Sequence, residues 1–184
     1  MKLKTVFLSV ILAAVCSFSS CAKNDMPTIE ERNSPPLLKI YDPTAAQADI
    51  SEIASAGFSW NFSDKTSEIQ SVIADAVHPL DENAPLIKVS FYYEYPTFEF
   101  DEIFEPNNIR LQGWDISKKG DISDETVYAP KTDFSQNFTS GDYTGLLGTP
   151  LKKDMIYQFT VTYDKNPYLE ERGFYGTADY YFET

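Results

Sequence analysis

The clearest pattern in the chain is the alternation of apolar and polar side chains between Met155 and Tyr163. Every second residue from Met155 onward is apolar or aromatic, and most residues between them are polar. Successive side chains of a β-strand point to opposite faces, so this alternation predicts a strand with one buried face. The β-branched and aromatic stretch Thr177–Phe182 is predicted to pair with it.

Further strands are predicted along the rest of the chain. Leu86–Tyr95 alternates up to Pro96, which lacks the N–H that a strand interior needs. The other predicted strands are Leu38–Tyr41, Phe58–Phe62, Thr97–Asp101 and Ile109–Ile116. About six to eight short strands at this spacing predict an all-β fold, an antiparallel two-sheet β-sandwich with insertions. The Ala-rich stretch 44–56 leaves room for one short helix.

Residues 68–77 fit two kinds of secondary structure. Their apolar residues recur at helical spacing, and they also fit a strand with Val72, Ala74 and Ala76 on one face. The turn-forming residues 78–83 follow and lead toward Leu86, as in a hairpin. We favour the strand, and the helix stays open as the alternative.

The N-terminus has the pattern of a secretory signal. Lys2 and Lys4 precede an apolar run over residues 6–15, which is too short to span a bilayer. The sequence Phe18-Ser19-Ser20-Cys21 then resembles the lipobox of bacterial lipoproteins, where small residues precede the cysteine that receives the lipid. The alternative is a plain secretory signal that leaves Cys21 as a free thiol.

The lipobox resemblance implies a location and a division of the chain. Lys23 and Asp25 resemble the signal that carries lipoproteins of some gut anaerobes to the cell surface. We therefore expect a lipid-anchored protein of the outer membrane, facing the cell surface. The expected parts are a signal peptide at 1–20, a lipidated N-terminus with a flexible tether at 21–37, and a β-sandwich domain at 38–184.

Composition narrows the function classes. The 184 residues suffice for one domain, and an apolar content of 42% excludes wholesale disorder. A net charge of −13 argues against a nucleic-acid binder, and losing Lys2 and Lys4 with the leader lowers it by two units, to −15. One histidine and two cysteines exclude most histidine-based metal sites and most Ser-His or Cys-His catalysis.

A short motif near the strongest strand resembles the tyrosine corner of immunoglobulin-like and fibronectin type III domains. Leu151 precedes Tyr157 by six residues, with a polar turn between them. The resemblance implies that both side chains are buried and that the Tyr157 hydroxyl bonds to upstream backbone. Asp154 stands where that family prefers glycine.

Candidate chemistry is sparse. Glu99 and Asp101 lie two apart on a predicted strand, which suits a carboxylate-based glycosidase or simply a solvated face. His78 is predicted to be a solvated loop residue. An EF-hand template that starts at Asp115 fails at two ligand positions, so we expect no cofactor. A looser calcium loop that uses Asp121, Asp124 and Glu125 remains an alternative. The other interpretation of these residues is a polar turn.

Aromatic residues supply the candidate ligand-binding surface. Trp60 and Trp114 are flanked by polar residues, and Tyr92 is predicted to face away from the apolar side of its strand. Exposed aromatic faces stack on sugar rings and also anchor protein partners, whereas core packing is the alternative for each tryptophan.

These observations lead to one main functional hypothesis. We expect a non-catalytic binding protein of the cell envelope, held to the membrane by its lipid anchor, that recognises a glycan or an envelope partner protein. A structural or adhesin component of a surface assembly is the alternative, and a carboxylate-based glycosidase comes third. A nucleic acid is not expected as a partner.

Overall fold

The computed structural model describes residues 33–42, 50–63, 68–91, 94–100, 106–138, 144–146, 148–163 and 173–184. Eleven strands lie in these ranges: β1 Leu38–Tyr41, β2 Ser51–Ile53, β3 Gly57–Phe62, β4 Gln70–Ala74, β5 Ile87–Lys88, β6 Thr97–Glu99, β7 Asn108–Asp115, β8 Thr132–Asn137, β9 Thr144–Leu146, β10 Met155–Tyr163 and β11 Phe174–Glu183. A 3₁₀-helix at Ile116–Lys118 and helix α1 at Asp124–Val127 connect β7 to β8. No helix in the described part of the chain is long and apolar enough to cross a membrane.

The strands form two sheets. The smaller sheet has the order β2-β1-β6-β9, and the larger has the order β4-β3-β11-β10-β7-β8. Neighbouring strands are antiparallel, except that the short β5 runs parallel to the end of β11. The predicted all-β sandwich of two antiparallel sheets is therefore confirmed.

The core lies between the two sheets and follows from the alternation along each strand. β10 has the burial pattern that its sequence predicts, with Met155, Tyr157 and every second residue after them buried on the inner face. The smaller sheet contributes Leu38, Ile40, Ile53 and Phe98 to the same cluster. Aromatic rings in edge or tilted contact fill much of this core, for example Phe98 against Phe159, whose ring centroids lie 5.7 Å apart.

Residues 68–77 contain a strand and not a helix. β4 pairs antiparallel with β3, with Val72 opposite Trp60 and Ile73 opposite Ser59. The prediction of a long strand over Leu86–Tyr95 is wrong in its described part, where only Ile87–Lys88 pairs, and it does so with β11. Val89 is buried in the core, whereas Ile87, which was predicted to lie on the same face, is 42% exposed.

The corner geometry is confirmed. Leu151 and Tyr157 are both buried, and the backbone N–H of Lys152 donates a 2.8 Å hydrogen bond to the Tyr157 hydroxyl. Burial raises the pKa of this phenol, so the hydroxyl stays neutral and accepts the bond. Asp154 has a φ of 59°, the left-handed region that explains the family preference for glycine at this position. Membership of the immunoglobulin or fibronectin type III families stays a resemblance.

The ring of Tyr157 also requires a residue without a side chain at position 113. Gly113 lies opposite Tyr157 in the β7–β10 pairing, and a Cβ atom at this position would come within 2.6 Å of the tyrosine ring. The ring therefore lies over a strand position that has no side chain, which allows close packing of β7 against β10.

Candidate functional site

Trp60 lies in the core between the sheets. Its exposed fraction is 0%, its ring stacks on Phe174 at 5.5 Å between centroids, and it meets Tyr163 edge-on. A ring without an exposed face offers no platform for a sugar, so the surface hypothesis for Trp60 is set aside. The polar neighbours Ser59 and Asn61 that suggested exposure point to the opposite face of β3.

Trp114 is buried on the other side of the larger sheet. It is 2% exposed and packs with Leu80, Ile156 and Leu86 in a small apolar cluster. Its indole N–H donates a 3.0 Å hydrogen bond to the carbonyl of Thr126. The segment 78–86 covers the outer sheet face here, so Trp114 has no stacking surface either. The remaining aromatic candidate, Tyr92, and the lipidation candidate, Cys21, lie outside the described residues.

The calcium candidates are engaged in local contacts. The Asp121 carboxylate accepts hydrogen bonds from both hydroxyls nearby, Ser123 Oγ at 2.6 Å and Thr126 Oγ1 at 2.7 Å. These bonds, foremost that from Ser123, hold the pKa of Asp121 far below its usual range. Asp124 and Glu125 occupy the first turn of α1. In the part of the chain that the structure describes, no group of three or more His, Cys, Asp or Glu side chains is arranged to hold a metal ion.

The other candidate chemical groups also serve the fold. Glu99 lies 3.8 Å from the Lys39 ammonium and accepts a hydrogen bond from the Tyr41 hydroxyl, whereas Asp101 lies outside the described residues. His78 was predicted to be a solvated loop residue, but it is half-buried. Its Nδ1 accepts a hydrogen bond from the backbone N–H of Leu80, and its ring meets Trp114 edge-on at 5.0 Å between centroids.

Among the described residues, β4, the edge strand of the larger sheet, brings several exposed apolar side chains together. All its residues are exposed except the half-buried Ala74. The exposed fraction is 70% for Ile73 and 39% for Val72, and Ile69 and Val77 beside the strand are also exposed. Among the described residues, no strand pairs with the outer edge of β4. We call Gln70–Ala74 together with Ile69 and Val77 the β4 edge.

In the part of the chain that the structure describes, the strand residues of the β4 edge carry none of the features that usually protect a sheet margin. Natural edge strands carry charges, proline or bulges that prevent pairing with another chain. Gln70-Ser71-Val72-Ile73-Ala74 contains no charge and no proline. β8 at the opposite margin differs, because its Asp133 carboxylate forms a bidentate ion pair with the guanidinium of Arg110. The shorter contact, from Nη2 to Oδ2, is 2.7 Å. The β4 edge is therefore the candidate interaction site.

Sequence reasoning recognised the apolar character of residues 68–77 but did not predict that they are exposed. The missing information was their place in the sheet order, which local periodicity does not contain. Two signals in the sequence point toward it, namely the lack of any charge over residues 69–74 and the fit of the apolar residues to both the helical and the strand period.

Comparison with protein-family models found no match, and neither curated protein sequences nor solved structures gave a significant match to this chain. The fold therefore defines the class of the described domain as an all-β sandwich, and function is argued from its surface.

Proposed function

We propose that this protein is a lipid-anchored, non-catalytic binding protein of the bacterial cell envelope, and that its ligand is another protein. The anchor is the lipidated Cys21, and Lys23 and Asp25 favour placement on the outer face of the outer membrane. The observation that carries the choice of ligand is the exposed apolar β4 edge.

The choice between a glycan and a protein rests on what the surface offers. Neutral sugars bind to exposed aromatic faces flanked by polar groups, and both tryptophans are buried. Ile73 and Val72 instead expose aliphatic area, which gains free energy when another apolar surface covers it. Aliphatic side chains bind sugars poorly, so the β4 edge suits a protein.

The same feature bears on the alternative of a surface assembly. Fibre subunits join by adding a strand of one protein to the sheet of another. An unprotected sheet edge is what such a joint needs, so a structural or adhesin role stays compatible with the β4 edge. A binding protein and a fibre subunit would both use the β4 edge. They differ in whether the partner is one protein or a subunit repeated along a fibre.

The test is photo-crosslinking in envelopes of the source cells. A benzoylphenylalanine residue replaces Ile73 in one variant and Tyr128 in a control, because Tyr128 is 81% exposed and lies far along the chain from β4. We expect a specific adduct from position 73 alone. Excess unlabelled wild type should compete for the partner, whereas a Val72→Thr/Ile73→Thr variant should not, since threonine keeps the branched shape and removes apolar area.

Equal competition by the wild type and by the threonine variant would contradict the proposal. A glycan array supplies the second check with the same two proteins. Specific glycan binding that the threonine substitutions leave unchanged would return the assignment to a carbohydrate ligand at another site.

A further inference from the structure

We propose that the partner binds by strand addition, in which an extended segment with basic residues at both ends pairs with the β4 edge and lengthens the larger sheet. This inference rests on the proposed function, because it specifies how the protein ligand occupies the same site. It commits to a segment of another protein and not to a second copy of this chain.

The first argument is the direction of the exposed apolar side chains. Val72 lies opposite Trp60, which points into the core, and Ile73 lies opposite Ser59, which points to the outer face. The two exposed side chains therefore lie on opposite faces of the sheet. A ligand on either face contacts only one of them, whereas a strand in the plane of the sheet places its own side chains against both.

The second argument is the direction of the backbone groups. The N–H of Ser63 donates to the carbonyl of Gly173, in register with the β3–β11 pairing, so odd-numbered residues of β3 bond to β11. Hydrogen bonding alternates along an antiparallel strand, so Trp60 bonds to Val72 on β4. The N–H and C=O groups of Ser71 and Ile73 consequently point outward from the sheet, where an added strand accepts and donates.

The third argument is charge. The strand itself is uncharged, and exposed Glu68 and Asp75 lie just beyond its two ends. The whole chain has a net charge of −13, so a second copy brings like charge, whereas a segment with lysine or arginine at both ends brings opposite charge to the two acids. Charge complementarity therefore selects a basic-ended strand of another protein.

The experiment measures binding of a synthetic peptide, Lys-Thr-Val-Thr-Val-Thr-Lys, to the full chain by fluorescence anisotropy. The informative variant is Ser71→Pro, because proline removes an outward N–H that β3 does not use. Its matched control is Ser71→Ala, which loses the hydroxyl bond to Asn61 and keeps the N–H. We expect binding by wild type and by Ser71→Ala, and binding at least about tenfold weaker by Ser71→Pro.

Two altered peptides separate the components of the interaction. Methylation of the three central backbone nitrogens should abolish binding, because the side chains stay and the backbone donors are lost. Glutamate in place of both lysines should weaken binding, and the difference should shrink at high salt. Thermal melts of both Ser71 variants check that the sheet is intact.

Several outcomes would overturn strand addition. They are no binding of the lysine peptide by wild type, equal binding by the methylated peptide, or equal binding by Ser71→Pro with an unchanged melt. A wild-type dimer in light scattering that Ser71→Pro abolishes would assign the edge to a second copy. If excess threonine variant fails to compete for crosslinking from position 73 and excess Ser71→Pro competes like wild type, the proposed function stands and strand addition falls. If the threonine variant competes as well as wild type, the proposed function falls as well.

Discussion

At the scale of single residues, the Tyr157 hydroxyl connects the turn at 152–154 to the strand that follows it. The turn brings the backbone N–H of Lys152 over the phenol, and Leu151 enters the core just before it. Asp154 closes the turn in a left-handed conformation, which costs free energy for a residue with a side chain. The hydrogen bond and the buried leucine offset that cost.

We predict that Tyr157→Phe lowers the free energy of unfolding by about 0.5–1.5 kcal/mol, because the Lys152 N–H loses its partner. Leu151→Ala should lower it by about 2–5 kcal/mol through the cavity left in the core. Urea unfolding measures both. Tyr128→Phe is the matched control, since that hydroxyl is exposed and its removal should change nothing measurable. An unfolding midpoint of Leu151→Ala equal to that of wild type contradicts the assigned corner.

The two tryptophans show what a residue's neighbours in sequence can and cannot predict. Trp60 follows Ser59 and precedes Asn61, but in a strand these polar residues face away from it and carry no information about its surroundings. Trp114 lies opposite Ile156 on the outer face of the larger sheet and is buried there by the segment 78–86. That contact joins residues more than twenty-five positions apart, so no local pattern contains it.

At the scale of elements, the segment 78–86 covers one end of the outer sheet face. Leu80 and Leu86 pack against Trp114, and the Leu80 carbonyl accepts a 2.6 Å hydrogen bond from the N–H of Gly120. His78 is the first residue of this segment, and its ring contacts Trp114 edge-on. Its Nδ1 accepts a bond from the Leu80 N–H, which requires that this nitrogen carries no proton.

The covering segment makes stability depend on pH. Burial lowers the pKa of His78 below its ordinary value of 6.5, so the unfolded chain binds a proton more readily than the folded one. The stabilising contribution of neutral His78 is therefore present above about pH 6.5 and is lost as the pH falls through the lowered pKa. We predict a smaller decrease in melting temperature between pH 7.5 and 5.5 for His78→Asn than for wild type.

Asparagine is chosen because its side-chain oxygen can accept the Leu80 N–H and does not titrate. His78 is the single histidine of the chain, so its proton resonances are unambiguous once any purification tag is removed. An NMR titration midpoint above 6.5 or equal decreases in melting temperature for both proteins would show that His78 is not coupled to folding.

The strands differ in how far periodicity predicts them. β10 matches its predicted bounds because both of its neighbours are strands and one face is buried, which enforces alternation over nine residues. β8 was not predicted, since an edge strand with the burial pattern of Thr132–Asn137 needs little apolar surface. β9 has only three residues, too few for a period to show. Sheet order, which makes β4 an edge, arises from contacts that are distant in sequence.

At the scale of the whole molecule, Pro36 lies at the end of the predicted tether, just before the first strand of the sandwich. The Tyr180 hydroxyl, buried in the sandwich, donates a 2.8 Å hydrogen bond to the Pro36 carbonyl, and β1 begins at Leu38. The predicted β-sandwich domain, residues 38–184, contains no cysteine, because both cysteines of the chain precede residue 22. Anchoring and folding are therefore expected to be separable.

We predict that Cys21→Ser abolishes incorporation of an alkyne-tagged palmitate and shifts the protein from the membrane fraction to the soluble fraction. Each buried methylene contributes about 0.8 kcal/mol and one chain alone is marginal, so stable anchoring needs the several acyl chains of a lipidated cysteine. The matched control is Cys16→Ser, because Cys16 follows the branched Val15 and is the poorer lipobox cysteine. Cys16→Ser should be labelled like wild type, and Cys21→Ser should keep the wild-type melting temperature. Equal labelling of Cys21→Ser and wild type would exclude Cys21 as the lipid site, and a lower melting temperature would show that the anchor region supports the fold.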